Sequence, residues 1–484
     1  MIGATISGRD MPQPSELIRA SACAIVERLK QGEIAPHDLL QALETRIGEV
    51  DGKVNALPTR CFERARAHAD RLMRKPVAER GLLAGMPVAI KDLTDVAGVR
   101  STQGSPIFAD HVPEKSDILV EMLEGEGGIV YAKSNTPEFG AGANTFNEVF
   151  GATLNPWNTR RSAAGSSGGA AVALATGMAW LAHGSDMGGS LRNPASFCGI
   201  VGMRPSIGRV ARTPNCKIDR NLGQQGPMAR NVEDLALFLD AMSGEHPADP
   251  ASLPRLKTSF LAAARSGWRP RRVAYSATLG ITPVDPEVAE ITRKAAARFA
   301  ELGAAVEEAH PDLQEAHACF QVLRAFDFAV SKAKLLREKR ALLKPEVIWN
   351  IEQGLKLTVE ELERAEAQRV AMTRRTLKFF ETYDLLLTPA TIVAPFPVEE
   401  RYVAECAGKK FDNYVEWLAI AYAITLVCCP ALSLPCGFTR ENLPVGLQIV
   451  GPPRSEASVL AGAKALEDIL GLKTRTPIDP LRGS

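Results

Sequence analysis

Three short segments of the chain carry residues that could together perform nucleophilic catalysis. Lys91 follows the apolar residues Pro-Val-Ala-Ile. Ser166 lies in the segment 165–169 (Gly-Ser-Ser-Gly-Gly), and Ser190 ends the segment 184–190 (Gly-Ser-Asp-Met-Gly-Gly-Ser). Such a set offers a nucleophilic hydroxyl, a second hydroxyl that relays its proton, and an amine that receives the proton. This chemistry needs no histidine, and the chain has only 7 histidines.

The glycine-serine segment 165–169 also matches the Gly-x-Ser-x-Gly nucleophile elbow of α/β-hydrolases, with Ser167 as the nucleophile. That mechanism needs a general-base histidine, normally late in the chain. No histidine follows His317, so the sequence disfavours this alternative. A phosphate-binding loop is disfavoured too, because no Gly-Lys-Ser/Thr follows the glycines.

Residues 88–91 (Val-Ala-Ile-Lys) coincide with a kinase motif. A kinase also needs a glycine-rich loop before this motif, and His-Arg-Asp and Asp-Phe-Gly after it, and the sequence has none of these. Taken alone, Lys91 is best explained as a lysine that extends from a strand end to the surface.

The pair Gly188 and Gly189 lets backbone N–H groups before Ser190 turn toward one point. An oxyanion hole needs this arrangement, because its donors must face the place where negative charge develops. An ordinary glycine turn is the other interpretation of the same residues.

The elements that must position these residues alternate between strand and helix. Residues 86–90 are predicted to form a buried strand with Lys91 at its end, and residues 129–132 a second strand after a helix at 116–124. A further helix over residues 170–175 follows the glycine-serine segment. This alternation predicts a parallel or mixed sheet covered by helices.

Later segments repeat the same rhythm. Asp285 and Pro286 predict a helix start, and Gly303 predicts its end. Thr358 and Glu361 form a capping box that predicts a long helix. Three more strands are predicted at residues 385–387, 432–434 and 447–450.

Composition excludes several classes of protein. The chain has 57 Lys and Arg against 56 Asp and Glu, a net charge of +1 that gives no basic field for nucleic acid. Nine scattered cysteines favour reduced thiols in a cytosol over disulfides or a zinc site. No signal peptide is predicted in residues 1–10. Residues 417–438 carry no charge, but Pro430 and Pro435 predict a buried helix and strand there, not a membrane span.

Taken together, these motifs resemble the amidase signature family. The resemblance runs through residues 165–171, 184–195 and 199–209, with flanking motifs at 155–157, 226–230 and 443–451. Departures from the family pattern are minor and remove no catalytic atom; they lie at Ala164, Ser185, Arg204 and Ser206.

The resemblance implies an α/β fold in which one large domain, residues 1–484, has a mixed, mostly parallel central β-sheet with helices on both faces. Within it we expect an N-terminal helical segment at 1–75, a catalytic core at 81–250 and a variable helical region at 310–415 that lines the substrate pocket.

By resemblance, Ser190 is the nucleophile, and Ser166, whose preceding peptide bond is cis in the family, bridges it to the base Lys91. A lysine has an ordinary pKa of about 10.4, so Lys91 can accept a proton near neutral pH only if burial lowers its pKa. Backbone N–H groups around Met187, Gly188, Gly189 and Ser190 are expected to hold the oxyanion.

Three further residues receive roles from the resemblance. Asp186 and Arg192 are expected to hold the nucleophile loop without taking part in the chemistry. Gly140 is expected to line the acyl pocket with its backbone. No cofactor and no metal are expected.

The predicted function is hydrolysis of the C–N bond of a small-molecule carboxamide or of an aryl or acyl amide. The alternatives are the A-type glutaminase component of a tRNA-dependent amidotransferase, a hydrolase of ureas or hydrazides, and a catalytically silent scaffold. The expected partner is the amide substrate, without nucleic acid or membrane, in a cytoplasmic protein; a homodimer stays an open alternative.

Substrate choice is expected to depend on two variable stretches, residues 213–225 and 310–416. The second contains aromatic residues that could line a pocket or simply pack in the core: Phe320, Phe326, Phe328, Trp349, Tyr402, Tyr414 and, next to it, Trp417.

Overall fold

The predicted alternation of strands and helices forms one central sheet of 11 strands in the computed structural model, which describes residues 13–213 and 222–483. Two further pairs of short strands, β4 with β5 and β12 with β13, lie outside it. The strands are β1 Thr59–Arg60, β2 Pro87–Lys91, β3 Ile129–Ser134, β4 Phe146–Asn147, β5 Gly151–Ala152, β6 Leu181–Asp186, β7 Val201–Arg204, β8 Gln224–Ala229, β9 Arg272–Tyr275, β10 Ala305–Glu308, β11 Leu385–Pro389, β12 Glu405–Cys406, β13 Lys409–Lys410, β14 Ala431–Phe438 and β15 Pro444–Val450.

The sheet is mixed. Its strand order is β1-β3-β2-β6-β8-β7-β14-β15-β11-β9-β10. Neighbours are parallel at β3–β2, β2–β6, β11–β9 and β9–β10, and antiparallel at the other pairs. The prediction of a mixed α/β sheet is therefore confirmed, but the prediction that it is mostly parallel is wrong. The central strands from β6 to β15 fold back on one another, whereas strand–helix alternation in a sequence favours parallel neighbours.

Strands β2 and β6 position the predicted catalytic segments. They pair in parallel, with Val88 opposite Leu181 and Ala89 opposite Ala182. Because the carboxyl ends of parallel strands meet at one edge of a sheet, Lys91 at the end of β2 lies beside the loop that follows Asp186. Every residue of β2 is buried, which explains why its sequence is apolar up to the lysine.

Fifteen α-helices pack around the sheet in the described part of the chain. They are α1 Pro14–Arg19, α2 Ala22–Gln31, α3 Pro36–Val50, α4 Phe62–Met73, α5 Ile118–Gly125, α6 Gly168–Ala175, α7 Arg192–Cys198, α8 Val232–Met242, α9 Phe260–Ala264, α10 Pro286–Ala297, α11 Ala316–Lys339, α12 Pro345–Leu355, α13 Val359–Phe379, α14 Ala419–Leu426 and α15 Glu456–Leu470.

The helix starts predicted from capping residues are confirmed. The Asp285 side chain accepts hydrogen bonds from the first turn of α10. Thr358 and Glu361 form the reciprocal capping box of α13. Gly303 adopts a left-handed conformation after the short helical turn that follows α10, as the prediction of a helix end there requires.

The uncharged stretch at residues 417–438 forms the buried helix α14 and the buried strand β14, as predicted. Within residues 13–213 and 222–483, no helix has the length and apolar character needed to cross a bilayer. The cysteines described there are free thiols. The ninth cysteine, Cys216, lies outside the described residues, as do residues 1–10 and part of the variable stretch 213–225.

Candidate active site

Lys91 is completely buried at the end of β2, so its interpretation as a surface lysine is wrong. Its Nζ lies 2.7 Å from Ser166 Oγ and 2.8 Å from Ser167 Oγ. A third hydroxyl, Ser185 Oγ, lies 3.1 Å from the same nitrogen. The amine is therefore held by hydroxyl groups, which can exchange protons with it.

Burial lowers the pKa of Lys91 to about 7, although the negative charge of Asp186 acts in the opposite direction. The neighbouring carboxylate in the chain, Asp92, does not pair with Lys91. It lies 3.1 Å from Nζ of a second buried lysine, Lys133, and accepts the N–H of Thr102. Without a carboxylate beside it, the ammonium form of Lys91 loses hydration and gains no ion pair.

Ser166 lies just before α6, and the Gly165–Ser166 peptide bond is cis. The next residue, Ser167, donates its N–H to the carbonyl oxygen of Ser190 at 3.2 Å. This hydrogen bond joins the glycine-serine segment to the nucleophile loop. The side chains of Ser166 and Ser190 line the same cavity, so the three predicted catalytic residues come together at one place.

Gly140 packs against Ser166. Its φ is +68°, and a Cβ there would lie 3.0 Å from Leu93 Cδ1 and 3.3 Å from Ser166 Oγ. Only glycine adopts this conformation without strain and leaves the space beside the hydroxyl open. The position agrees with the expectation that its backbone lines the cavity.

Asp186 and Arg192 form a buried ion pair beneath the nucleophile loop, with Arg192 Nη2 2.8 Å from Asp186 Oδ1. Arg204 Nη1 lies 3.6 Å from the same oxygen, and Arg192 also donates to Gln448 Oε1 at 2.6 Å. Burial alone would raise the pKa of Asp186, but the charges and hydrogen bonds of the two arginines hold it well below its usual range. The carboxylate therefore stays ionised.

The same carboxylate shapes the loop. It accepts the N–H of Gly189 at 2.9 Å and the N–H of Leu191 at 3.1 Å. The Gly189 N–H is thus engaged by Asp186 and does not serve as a free donor here. Among the described residues, the N–H groups of Met187, Gly188 and Ser190 have no protein acceptor, so they remain to bind a developing oxyanion.

The cavity at Ser190 has a volume of about 260 Å³. Larger surface clefts lie elsewhere, one of about 580 Å³ near Arg230 and Glu467, but they contain none of the catalytic residues. Of the aromatic residues in the variable stretch, Phe320 and Phe328 line the cavity, whereas Trp417 packs in the core.

A histidine lies near Lys91 but is not a general base. His183 Nδ1 accepts the backbone N–H of Lys91 at 3.3 Å. Burial, and then the charges of Lys91 and Lys133, lower the pKa of His183 to about 3, so the ring is neutral. It faces the backbone side of the lysine and does not line the cavity.

Sequence reasoning did not assign Ser167, Ser185 or Arg324 to the site. The run of serines around the glycines was the available signal for the two hydroxyl residues. Arg324 lies on α11, in the stretch where the resemblance is weakest, and no motif marks it.

Comparison with known proteins agrees with this geometry. The Amidase family model matches residues 38–460. An acylamidase of Rhodococcus erythropolis is 34% identical over 95% of this chain and 98% of its own length. The A-type component of the glutamyl-tRNA(Gln) amidotransferase of Moorella thermoacetica is also 34% identical, over 96% and 99%. The crystal structure of a bacterial aryl acylamidase of the amidase signature family superposes with a TM-score of 0.87 at 28% identity, covering 95% and 99%. The chain therefore belongs to the amidase signature family of hydrolases that act on C–N bonds.

Proposed function

We propose that the chain hydrolyses a linear small-molecule amide, an acyl anilide or a related carboxamide, through an acyl-enzyme formed on Ser190. One observation supports this most: Lys91 is a fully buried lysine with a pKa of about 7, 2.7 Å from the hydroxyl of Ser166. A structural lysine has no need of that environment, whereas a general base does.

The proposed reaction begins with attack of Ser190 Oγ on the amide carbonyl carbon. Ser190 gives its proton to Ser166, and Ser166 gives its own proton to the neutral Lys91. The N–H groups of Met187, Gly188 and Ser190 hold the oxyanion of the tetrahedral intermediate. Ser167 and Ser185 keep Nζ in place at 2.8 and 3.1 Å.

Collapse of the intermediate breaks the C–N bond. The leaving nitrogen takes a proton from Ser166, which regains one from Lys91, because an amine leaves readily only when protonated. Water then enters, loses a proton along the same path and hydrolyses the ester on Ser190. The products are a carboxylic acid and an amine, and the enzyme returns to its starting protonation state.

A second candidate is the glutaminase component of a tRNA-dependent amidotransferase. It is supported by the 34% identity to the Moorella thermoacetica protein, equal to the identity with the acylamidase. The same serines and lysine would then release ammonia from glutamine. The net charge of +1 offers no additional support for a tRNA partner.

A panel assay on the purified single chain separates these candidates. We expect release of amine from an acyl anilide or an aliphatic amide, with Ser190→Ala inactive on every compound. Glutamine, ureas and hydrazides belong in the panel as the competing substrates. Ammonia release from glutamine alone would favour the amidotransferase component, and no hydrolysis of any amide would contradict the proposal.

A further inference from the structure

Arg324 brings a positive charge to the wall of the Ser190 cavity. It lies on α11, lines the cavity together with Ser190 and Met187, and is only 7% exposed. A charged side chain is rarely buried to this extent unless a group of opposite charge accompanies it.

The contacts of Arg324 are all to neutral groups. Its Nε donates to Asn350 Oδ1 at 3.2 Å, its Nη2 to the hydroxyl of Tyr414 at 2.9 Å, and its Nη1 lies 3.2 Å from Met187 Sδ. The guanidinium carbon lies 4.7 Å from the centre of the Phe328 ring. Among the described residues no carboxylate lies within ion-pair distance of it.

Other buried arginines of this site are paired differently. Arg192 and Arg204 both face the carboxylate of Asp186, which is therefore already occupied. Of the carboxylates that line the cavity, the only other one is Asp117, which accepts the N–H of Leu119 at the start of α5. The positive charge of Arg324 thus has no fixed counter-charge in the described wall of the cavity.

The guanidinium also keeps donors for a ligand. An arginine has five N–H donors, and three of them are directed to Asn350, Met187 and Tyr414. One N–H on each terminal nitrogen remains. Two donors on neighbouring nitrogens match the two oxygens of a carboxylate, and the thioether of Met187 is a weak acceptor that a carboxylate would readily replace.

We infer that Arg324 is a specificity-determining residue that binds a carboxylate carried by the amide substrate. The inference rests on the proposed amide hydrolysis and narrows it to amides of short acids. Because Arg324 contacts Met187, next to Gly188 in the nucleophile loop, the carboxylate must lie close to the scissile bond. It could be on the acyl side or on the amine side of that bond, and the same guanidinium would bind either.

Two matched pairs of substrates test the inference. Glutaryl p-nitroanilide is compared with pentanoyl p-nitroanilide, which has a methyl group in place of the acyl-side carboxylate. N-butyryl-4-aminobenzoate is compared with N-butyryl-4-toluidine for the amine side. We expect kcat/KM to be at least about tenfold higher for the acid of one pair, mainly through a lower KM.

Variants of Arg324 should remove this preference. In Arg324→Gln, which keeps polar contacts without the charge, the acid-to-neutral ratio should fall to near one. Arg324→Lys, which keeps the charge without the fork, should give an intermediate ratio. The control is Lys334→Gln on the exposed side of the same helix, where the side chain is 76% exposed; it should retain the wild-type ratio.

Binding to Ser190→Ala, measured by calorimetry with the same pairs, separates this inference from the proposed function. Preferential binding of the acids without hydrolysis of any compound by the wild type would contradict the function and support the role of Arg324. Equal hydrolysis of acids and neutral partners, or an acid-to-neutral ratio unchanged in both Arg324→Gln and Arg324→Lys, would overturn the inference and leave the function standing.

Discussion

At the scale of single residues, the chemistry depends on how completely water is excluded from Lys91. A lysine at a strand end is normally charged and exposed, but this one has only hydroxyl groups and a buried strand around it. Asp92 is held by Lys133 and Asp186 by Arg192, so neither carboxylate neutralises the amine directly. The amine can therefore exist in its basic form near neutral pH.

The pH dependence of catalysis follows from that pKa. Below about pH 7 Lys91 carries a proton and cannot accept another, so kcat/KM should fall about tenfold for each pH unit below 7 and level off above it. Initial rates with a neutral amide between pH 5 and 9 would measure the profile. Constant activity down to pH 5 would contradict a lysine base.

The sequence predicted the three catalytic side chains because each lies in a short motif. It could not predict Ser185 as a contact of Lys91, because that contact depends on the parallel pairing of β2 with β6. Arg324 could not be predicted either, since it reaches the cavity from a helix more than a hundred residues later in the chain and only tertiary packing brings it there.

At the scale of elements, the loop between β6 and α7 is held in shape by one buried carboxylate. Asp186 binds Arg192, Arg204 and the N–H groups of Gly189 and Leu191. Removing one partner of a buried ion pair leaves the other charge uncompensated, which costs far more than the loss of a surface pair.

Asp186→Asn should therefore lower the free energy of unfolding by about 3–5 kcal/mol and reduce activity together with it. Urea denaturation followed by circular dichroism would measure the change. As a matched control, Glu290→Gln removes the exposed pair with Arg293 and should leave the denaturation midpoint close to the wild type. A midpoint for Asp186→Asn equal to that of the control would refute this role of the carboxylate.

A second buried carboxylate links α15 to α8. Glu467 accepts the N–H of Val232 at 2.9 Å, and burial raises its pKa to about 7. Between about pH 4.5 and 7 the folded chain keeps a proton there that the unfolded chain has lost, so the contribution of Glu467 to stability falls as the pH rises through this range.

Glu467→Gln keeps an oxygen for the N–H of Val232 and removes the buried charge. It should stabilise the protein at pH 8 by about 1–3 kcal/mol and by much less at pH 5. Thermal denaturation at the two pH values would measure the difference. A variant that is less stable than the wild type at pH 8 would contradict the assigned cause of the raised pKa.

Helix starts were predictable at this scale and strand directions were not. The capping residues Asp285 and Thr358 act locally, within one turn of their helices. The direction of a strand depends on the path of the chain between strands, and β14 and β15 join as an antiparallel pair at the centre of the sheet. No local pattern in the sequence carries that information.

At the scale of the whole molecule, strands drawn from residues 59–450 form one sheet, and we infer from this that the chain is one domain. Its net charge is +1. A molecule with so little net charge exerts no long-range attraction on a polyanion, and an amidase of small molecules needs none.

We therefore expect weak binding of tRNA. Filter binding at 150 mM salt should give a Kd above about 1 µM, within the range of non-specific association. Tighter binding would contradict this expectation and would favour a role in a tRNA-dependent amidotransferase.

Covalent labelling of Ser190 tests the central claim most directly. Intact-protein mass spectrometry after treatment with a fluorophosphonate should show a single adduct, which peptide mapping places on Ser190. Ser166→Ala should be labelled much more slowly, because the proton path to Lys91 is interrupted. Ser190→Ala, confirmed as folded by circular dichroism, should show no adduct, and an adduct on that variant would contradict the assignment of the nucleophile.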